Sequence, residues 1–341
     1  MARPLAELPK AHLHLHFTGA MRHPTLVELA GRSDVHLPEA LAASWPPRLS
    51  AADERGWFRF QRLYDTARSV LRNPADVFRL LRETAQDERA EGSGWLEIQI
   101  DPSGYAQRFG GLTPTVELVL EAARAAEAET GVGIGIIIAA NRTKHPLEAR
   151  TLARLAARYA GRGVVGFGLS SDERRGGPAE FASAFRIAAR SGLLLAPHGG
   201  ELCGPESVRA SIEHLHADRI GHGVAAATDP ELIKRLSASR ITLEVCPTSN
   251  VALGVSRRAA DVPLGVLLDG GVPLALGADD PLLFGSRLVA QYEIARNVHG
   301  MDDPALAELA RMSVRASAAP PDTTERLLTG IDQWLATPPG P

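Results

Sequence analysis

Cysteine is nearly absent from this chain of 341 residues, which contains only Cys203 and Cys246. Two cysteines cannot form a disulfide framework, and these two lack the paired spacing of a structural zinc site. The chain also has no run of eighteen apolar residues, and residues 1–10 contain charges and two prolines instead of an apolar signal segment. We therefore expect a protein of the cytoplasm that has no membrane partner.

Positive charge is not in excess either, since the formal net charge is -3 at pH 7. Basic side chains are scattered along helical faces, as at Arg150, Arg154 and Arg158, which is typical of a solvated surface. We therefore expect no nucleic-acid partner. Hydrophobic residues make up 45% of the chain and charged residues 23%, which is typical of a soluble protein with a substantial core.

Hydrophobic patterning predicts eight strands that alternate with helical or loop segments. The predicted strands cover residues 13–17, 95–100, 134–140, 164–167, 193–197, 219–221, 241–245 and 273–276. Strict alternation favours a parallel sheet, and eight repeats are the number that closes an α/β barrel of the (β/α)8 TIM type. The competing fold is an open doubly wound sheet. That fold usually carries a glycine-rich phosphate turn after its first strand, and this sequence has none there.

The chain is predicted to form a single domain over residues 1–341, because no linker of low complexity and no internal repeat divides it. A helical insertion is expected at about residues 32–92, after the first strand. Its first part contains Pro38, Pro46 and Pro47 and shows little periodicity, and two helical stretches follow it. Residues 304–314 and 322–335 are predicted to form extra helices outside the barrel.

Potential metal ligands stand at the carboxyl ends of the predicted strands. His14 and His16 share one face of the first strand because side chains of a strand alternate with period two. The other candidates follow later strands: His198, Glu201, His222, Asp279 and Asp280. All these strand ends meet on the face where barrel enzymes have their active sites. Each residue alone is more often structural, but their joint placement predicts a site of histidine and carboxylate ligands suited to zinc.

Several motifs containing these residues resemble the adenosine/adenine deaminase family. They are Leu8-Pro9-Lys10, His14-Leu15-His16, His198-Gly199-Gly200-Glu201, Gly221-His222-Gly223, the segment Glu244-Val245-Cys246-Pro247-Thr248-Ser249-Asn250 and Asp279-Asp280-Pro281. The resemblance covers nearly the whole chain and depends on the conjunction of the motifs in this order. Nucleobase deaminases with a Pro-Cys-x-x-Cys signature have a different zinc architecture, and the sequence after Cys246 lacks that spacing.

The resemblance implies that His14, His16, His198 and Asp279 hold one zinc ion, which would activate a water molecule. Related amidohydrolases with two ions use a carboxylated lysine from the fourth strand. The only lysines here are Lys10, Lys144 and Lys234, and none lies in residues 164–167. A site with one ion is therefore favoured.

The resemblance also assigns the chemical steps. Glu201 would protonate N1 of a purine while C6 is attacked, and His222 and Asp279 would orient and deprotonate the attacking water. Asp280 would hydrogen-bond N7. Ammonia would leave and a 6-oxopurine would remain. A non-catalytic purine-binding protein on the same scaffold would be expected to have lost Glu201 or a metal ligand, and this chain retains them.

The sequence departs from the family pattern around the sugar of the substrate. His16 is expected to contact the substrate as well as the metal. Two residues later, Thr18 stands where the family usually has an acidic residue that contacts the ribose 5′-hydroxyl. Gly168 replaces an aspartate, and Ser171 stands at the glycine whose backbone faces purine N3. Loss of two carboxylates removes repulsion of an anionic 5′ group. The pattern resembles the branch that deaminates 6-aminodeoxyfutalosine in menaquinone biosynthesis.

The leading interpretation from the sequence is therefore a zinc-dependent deaminase of 6-aminodeoxyfutalosine, and the alternative is an adenosine or adenine deaminase of purine salvage. Candidate partners for the anionic 5′ group are Arg22, Arg55, Arg59 and Arg62, which the sequence does not rank. His12 shares a strand face with His14 and is expected to be a hydrogen-bonded core residue. Oligomeric state cannot be read from the sequence.

Overall fold

The computed structural model describes residues 2–338 and contains eight strands, each parallel to its neighbours and arranged in chain order. They are β1 (Lys10–His16), β2 (Ser93–Ile100), β3 (Gly133–Asn141), β4 (Val164–Ser170), β5 (Leu194–Gly199), β6 (Arg219–His222), β7 (Thr242–Val245) and β8 (Leu274–Leu276). All eight predicted strands are present. The largest shifts occur where β1 begins at Lys10 and where β4 continues to Ser170.

The sheet closes on itself between its first and last strands. The His16 amide donates to the Asp279 carbonyl at 2.9 Å, and the Asp279 amide donates to the His14 carbonyl at 3.0 Å. Leu15 and Asp279 form a parallel bridge just beyond β8. The predicted (β/α)8 barrel is therefore confirmed, and every strand directs its carboxyl end toward the same mouth.

Extra helices follow β1, as predicted. They are α1 (His23–Arg32), α2 (Glu39–Ala42), α3 (Glu54–Ser69) and α4 (Pro74–Ala90). The remaining helices follow β2 to β8: α5 (Leu112–Thr130), α6 (Pro146–Arg158), α7 (Pro178–Arg190), α8 (Pro205–Leu215), α9 (Pro230–Ser239), α10 (Pro247–Ala252), α11 (Leu264–Asp269), α12 (Pro281–Phe284), α13 (Leu288–Asn297), α14 (Asp303–Ala316) and α15 (Pro321–Ala336). The last two are the predicted C-terminal helices.

Local sequence explains where several helices begin. Asn73 caps α4 and forms a reciprocal capping box with Asp76. Asp229 caps α9 by accepting the Leu232 amide, as its position before Pro230 predicts. These caps satisfy amides that have no partner within the helix, so they set the start of each helix against the barrel.

The core holds β1 rigidly between the barrel interior and the outer helices. Leu13, Leu15 and Phe17 are fully buried and belong to the apolar clusters that surround the sheet. Full burial of such side chains contributes about 1.5–3 kcal/mol each. This packing fixes the backbone that carries His14 and His16. No helix within residues 2–338 combines the length and apolarity that crossing a membrane requires.

Candidate functional site

The four predicted metal ligands converge at the barrel mouth. His16 Nε2 lies 3.1 Å from Asp279 Oδ1, and His14 Nε2 lies 3.6 Å from the same oxygen. His198 Nε2 lies 3.2 Å from His16 Nε2. Two nitrogens bound at about 2.0–2.1 Å to one tetrahedral ion are separated by roughly 3.3 Å, so these spacings suit one shared ion.

His14 has its ring oriented toward this cluster by a buried carboxylate. Its Nδ1 lies 2.8 Å from Glu244 Oε2, while its Nε2 is buried and has no hydrogen-bond partner among residues 2–338. The Nδ1 proton is donated to Glu244, which leaves the Nε2 lone pair free to bind a cation. Arg219 in turn holds Glu244, with Nε at 2.7 Å from Oε1. The sequence analysis missed this role of Glu244.

Charges around the cluster favour a bound cation. Burial opposes a charge on His14, but contacts with Asp279 and Glu244 outweigh it and raise the pKa of His14 to about 10. Burial lowers the pKa of His198 well below its usual range, and the neighbouring histidines act in the same direction. The two carboxylates therefore attract either a proton or a metal ion, and His198 remains neutral as a ligand must.

A second pair of groups lies beside the cluster. Glu201 Oε2 is 3.6 Å from His222 Nε2, and Glu201 Oε1 is buried without a partner in the described part of the chain. Burial, followed by repulsion from Asp279, raises the pKa of Glu201 well above its usual range. This shift favours the protonated, neutral form of Glu201. Burial, assisted by His14, lowers the pKa of His222 to about 4, so its imidazole is neutral near pH 7.

Asp280 lies next to these groups, and its Oδ1 is also buried and unpaired within residues 2–338. Burial raises its pKa to about 7; His16 opposes this increase, and repulsion from Asp279 adds to it. A carboxyl group with this pKa can donate or accept a hydrogen bond near neutral pH.

Two glycines are required by close packing at the site. A Cβ on Gly19, in the short turn after β1, would lie 1.8 Å from Asp280 Oδ1. A Cβ on Gly221 would lie 2.8 Å from His14 Cε1 and 3.2 Å from the His198 ring. Any side chain at either position would displace a residue of the site.

Three residues of the site adopt left-handed backbone conformations that are uncommon for residues with a side chain. Their φ angles are 81° at Ser171, 63° at His222 and 59° at Asp279. Such conformations cost about 1–3 kcal/mol each and persist where the surrounding structure imposes them. Glycine adopts this conformation without strain, which agrees with the glycine that the family resemblance implies at the position of Ser171.

The loop that carries Glu201 is organised by Glu173, a role the sequence analysis also missed. The Glu173 carboxylate accepts the backbone amides of Glu201, Leu202 and Cys203 at 2.8, 2.6 and 3.1 Å, and it also accepts the Gly200 amide. These four donors make the carboxylate a fixed centre for the turn after β5. Glu173 lies after β4, so only the assembled barrel brings it to this loop.

The site opens into a cavity with an empty volume of about 770 Å³, including its open mouth. His16, His198, Glu201, His222, Asp279 and Asp280 line one side of it. Helix α3 covers it with Trp57, Phe60 and Tyr64, which the sequence analysis did not select. Ser171 also lines the cavity, as expected for a substrate contact.

Thr18 and Gly168 are placed differently from the other candidates and do not line this cavity. Thr18 is fully buried, and its hydroxyl lies 2.5 Å from the Tyr105 hydroxyl, so it is satisfied within the protein. Gly168 lies on β4, and a Cβ there would lie 3.5 Å from both Ala139 and Gln99, which line the cavity. The sequence predicted contacts for both on the sugar side of the substrate, and these contacts stay predictions.

The four candidate arginines also lie away from the cavity. Arg22 is paired with Asp87 at 2.7 Å, and Arg55, Arg59 and Arg62 are exposed. The arginine that lines the cavity is Arg68, near the end of α3.

His12 is a buried core residue, as predicted. Its Nε2 accepts the Ala278 amide at 3.0 Å, and its Nδ1 lies 2.8 Å from Glu88 Oε1. Both ring nitrogens are therefore occupied, which confirms His12 as a hydrogen-bonded core histidine.

Comparison with known proteins agrees with this geometry. The sequence profile described as "Adenosine deaminase" matches residues 9–334. A Streptomyces coelicolor protein, whose adenosine/adenine deaminase name is itself an inference, is 62% identical over 98% of both chains. An aminodeoxyfutalosine deaminase of the same organism is 32% identical over 97% of this chain and 86% of its own.

The structure also resembles solved deaminases. Adenine deaminase from Arthrobacter aurescens superposes with a TM-score of 0.89 at 30% sequence identity, covering 96% of this chain and 99% of that enzyme. The chain therefore belongs to the adenosine deaminase family and is a hydrolytic deaminase.

Proposed function

We propose that this protein hydrolyses the 6-amino group of adenine or an adenine nucleoside. The observation that carries the proposal is Glu201, a buried carboxyl group with a raised pKa and an oxygen that has no partner within residues 2–338. It lies beside the cluster of His14, His16 and His198, and Asp279 lies close to the first two of these histidines. C6 of an aminopurine is a poor electrophile until N1 is protonated. The reaction therefore needs an acid next to N1 and an activated water next to C6, which these groups can provide.

His14, His16, His198 and Asp279 are proposed to hold one zinc ion. Their spacing and the free Nε2 of His14 support this assignment. When bound, such an ion lowers the pKa of a coordinated water to about 7 and so supplies a nucleophile near neutral pH.

The protein's own groups are proposed to move the protons. Glu201 gives its proton to purine N1, and His222, neutral near pH 7, accepts a proton from the attacking water together with Asp279. Asp280 hydrogen-bonds N7 and so fixes the orientation of the ring. The proton taken from the water is then transferred to the departing amino group, which leaves as ammonia. The proton of the new C6 hydroxyl returns to Glu201, so the 6-oxopurine forms and the acid is restored.

Deamination of 6-aminodeoxyfutalosine is the second candidate. An outer recess adjoins the cavity and contains Arg68 and Lys144, which offers room beyond the purine and positive charge for a carboxylate. Asp65 and Asp101 line the same recess and offset that charge. In addition, the Streptomyces coelicolor relative named for this activity is 32% identical, whereas the 62% identical relative is a separate protein. We therefore rank this substrate below adenine and adenosine.

The function is tested by incubating the purified, zinc-loaded protein with adenine, adenosine and 6-aminodeoxyfutalosine and following the loss of 6-aminopurine absorbance. We expect turnover of adenine or adenosine with release of one ammonia per purine. Absence of turnover with every 6-aminopurine would contradict the proposed function. Turnover restricted to 6-aminodeoxyfutalosine would reverse the ranking of the two candidates.

We also propose that the chain is a single domain in which residues at about 32–92 form a helical insertion that covers the cavity. Its helix α3 supplies part of the cavity wall, which supports this organisation. Cys203 and Cys246 are free thiols, which fits the reducing conditions of the cytoplasm, where we propose that the enzyme acts.

A further inference from the structure

Gln99 is a buried polar side chain to which the proposed mechanism gives no role. It lies on β2, in register with His16 on β1 and Ile137 on β3, and lines the cavity. It is only 1% exposed, and neither its Oε1 nor its Nε2 has a hydrogen-bond partner in the described range 2–338. Leaving a buried polar group unpaired is energetically unfavourable, so such a group at a cavity indicates a ligand contact.

The space next to this amide is kept open by Gly168. A Cβ on Gly168 would lie 3.5 Å from Gln99 Oε1, so a longer polar side chain there would reach the amide and occupy it. The glycine that the sequence analysis associated with the sugar side therefore leaves Gln99 free. In the described part of the chain, the other buried side-chain oxygens at the cavity without a partner belong to Glu201 and Asp280, both proposed to contact substrate.

The orientation of the purine follows from the proposed function, on which this inference rests. C6 must face the metal ligands, and N1 must face Glu201, which places N7 on the side of Asp280. The opposite edge of the ring carries N3 and N9. That edge faces the wall formed by β2, β3 and the end of β4, where Gln99, Ala139 and Ser171 line the cavity.

We propose that the Gln99 carboxamide recognises the N3/N9 edge of free adenine and makes the site selective for the base over its nucleosides. Oε1 accepts the N9–H, and Nε2 donates toward N3, beside the backbone of Ser171. An amide presents one donor and one acceptor side by side, which matches the adjacent N3 and N9–H of adenine. In a nucleoside N9 carries the sugar, so Oε1 loses its donor and meets C1′ instead.

The sugar side of the site agrees with this selectivity. The Thr18 hydroxyl is already bonded to Tyr105 at 2.5 Å and is fully buried. Tyr105 lines the cavity, and its hydroxyl is the group that occupies Thr18. Thr18 therefore has no free hydroxyl with which to bind a ribose.

The test compares kcat/KM for adenine, 9-methyladenine and adenosine in the zinc-loaded protein. The wild-type enzyme should prefer adenine over 9-methyladenine by at least ~100-fold, because a buried acceptor rejects a ligand that lacks its donor. Gln99→Leu should lower kcat/KM for adenine by ~10- to 100-fold and leave that for 9-methyladenine within ~3-fold, since two hydrogen bonds to adenine are lost. Gln61→Leu, another glutamine that lines the cavity, is the matched control and should keep the wild-type ratio.

Zinc content and thermal midpoint are measured for each variant, and Gln99→Met replaces Gln99→Leu if the latter does not fold. Wild-type kcat/KM for adenosine equal to or above that for adenine would overturn the inference and leave the proposed function intact. An unchanged adenine to 9-methyladenine ratio in the Gln99 variants would also overturn it. Failure to deaminate any 6-aminopurine would instead contradict the proposed function itself.

Discussion

Single side chains decide the chemistry at this site through the partners that each of them has or lacks. His12 and His14 stand on the same face of β1 and both contact a buried glutamate through Nδ1. The second nitrogen of His12 accepts a backbone amide, whereas that of His14 has no hydrogen-bond partner within residues 2–338. The difference between a core histidine and a candidate ligand therefore lies in one hydrogen bond at Nε2.

Replacement of Glu201 tests the assigned acid. Glu201→Gln keeps the shape of the side chain but cannot transfer a proton, so we expect kcat to fall by ~100- to 10,000-fold while zinc content is unchanged. The measurement is steady-state deamination together with metal analysis. Activity close to wild type would remove Glu201 from its proposed role.

Replacement of Glu244 tests how His14 is oriented. Glu244→Gln weakens the hold on His14 Nδ1, and loss of such a supporting carboxylate typically lowers metal affinity by ~10- to 100-fold. Affinity is measured by titrating the metal-free protein with zinc against a chelator. Glu88→Gln is the matched control because Glu88 supports His12, and it should leave zinc affinity unchanged. Equal losses in both variants would indicate a general structural effect.

At the scale of elements, short connections at the strand ends bring the site together. The turn after β1 passes so close to Asp280 that only glycine fits at position 19, and the loop after β5 folds around the Glu173 carboxylate. Helix α3 then covers the cavity with aromatic side chains. The strands point the site residues toward the barrel mouth, and these connections set how close the side chains come to one another.

Gly19→Ala tests the turn after β1. The added Cβ would lie 1.8 Å from Asp280 Oδ1, so Asp280 must move, and we expect kcat/KM for adenine to fall at least ~10-fold. Gly31→Ala in α1 is the control, since its Cβ would have nothing within 4 Å. There alanine should stabilise the helix by about 0.5–1 kcal/mol and leave activity unchanged. Activity is measured by deamination and stability by urea unfolding.

At the scale of the whole molecule, burial of charged groups makes stability depend on pH. Lys10 begins β1, and its ammonium donates to the carbonyls of Leu5 at 2.9 Å and Glu91 at 2.6 Å. Burial lowers its pKa to about 7, an effect that the charges of Glu91 and Glu88 oppose. The unfolded chain, where lysine has a pKa of about 10.4, therefore binds more protons between about pH 7 and pH 10 than the folded protein does.

The free energy of unfolding should accordingly gain a contribution that rises with pH in this window, by up to about 1.4 kcal/mol per pH unit. Lys10→Met removes that contribution, so the stability difference between wild type and variant should shift in favour of the wild type from pH 7 to pH 10. Urea unfolding across this range measures it. The control is Lys234→Met, which removes an exposed ion pair and should show no such trend. If the free energy of unfolding of Lys10→Met changed with pH in the same way as that of the wild type, the prediction would be contradicted.

Local patterns were sufficient to predict the barrel. Each of the eight strands is a short apolar run between helical segments. Eight strand–helix units in alternation form a closed barrel of parallel strands. The same logic brought His14, His16, His198, Glu201, His222, Asp279 and Asp280 to one mouth, because every strand ends there. These inferences needed only the order of the strands and helices along the chain and the spacing of apolar residues within each of them.

Only the tertiary structure decided the contacts between side chains that are far apart in the chain. Glu244 meets His14 across 230 positions, and Glu173 reaches the loop after β5, although neither contact follows from spacing along the chain. Thr18 was expected at the sugar, but a hydroxyl can be satisfied by any nearby partner, and here Tyr105 is that partner. By itself the sequence determined the fold, the candidate ligands and the family motifs, because these depend on residue type and period. Which polar atoms remain unpaired, as at Gln99, depends on packing in three dimensions.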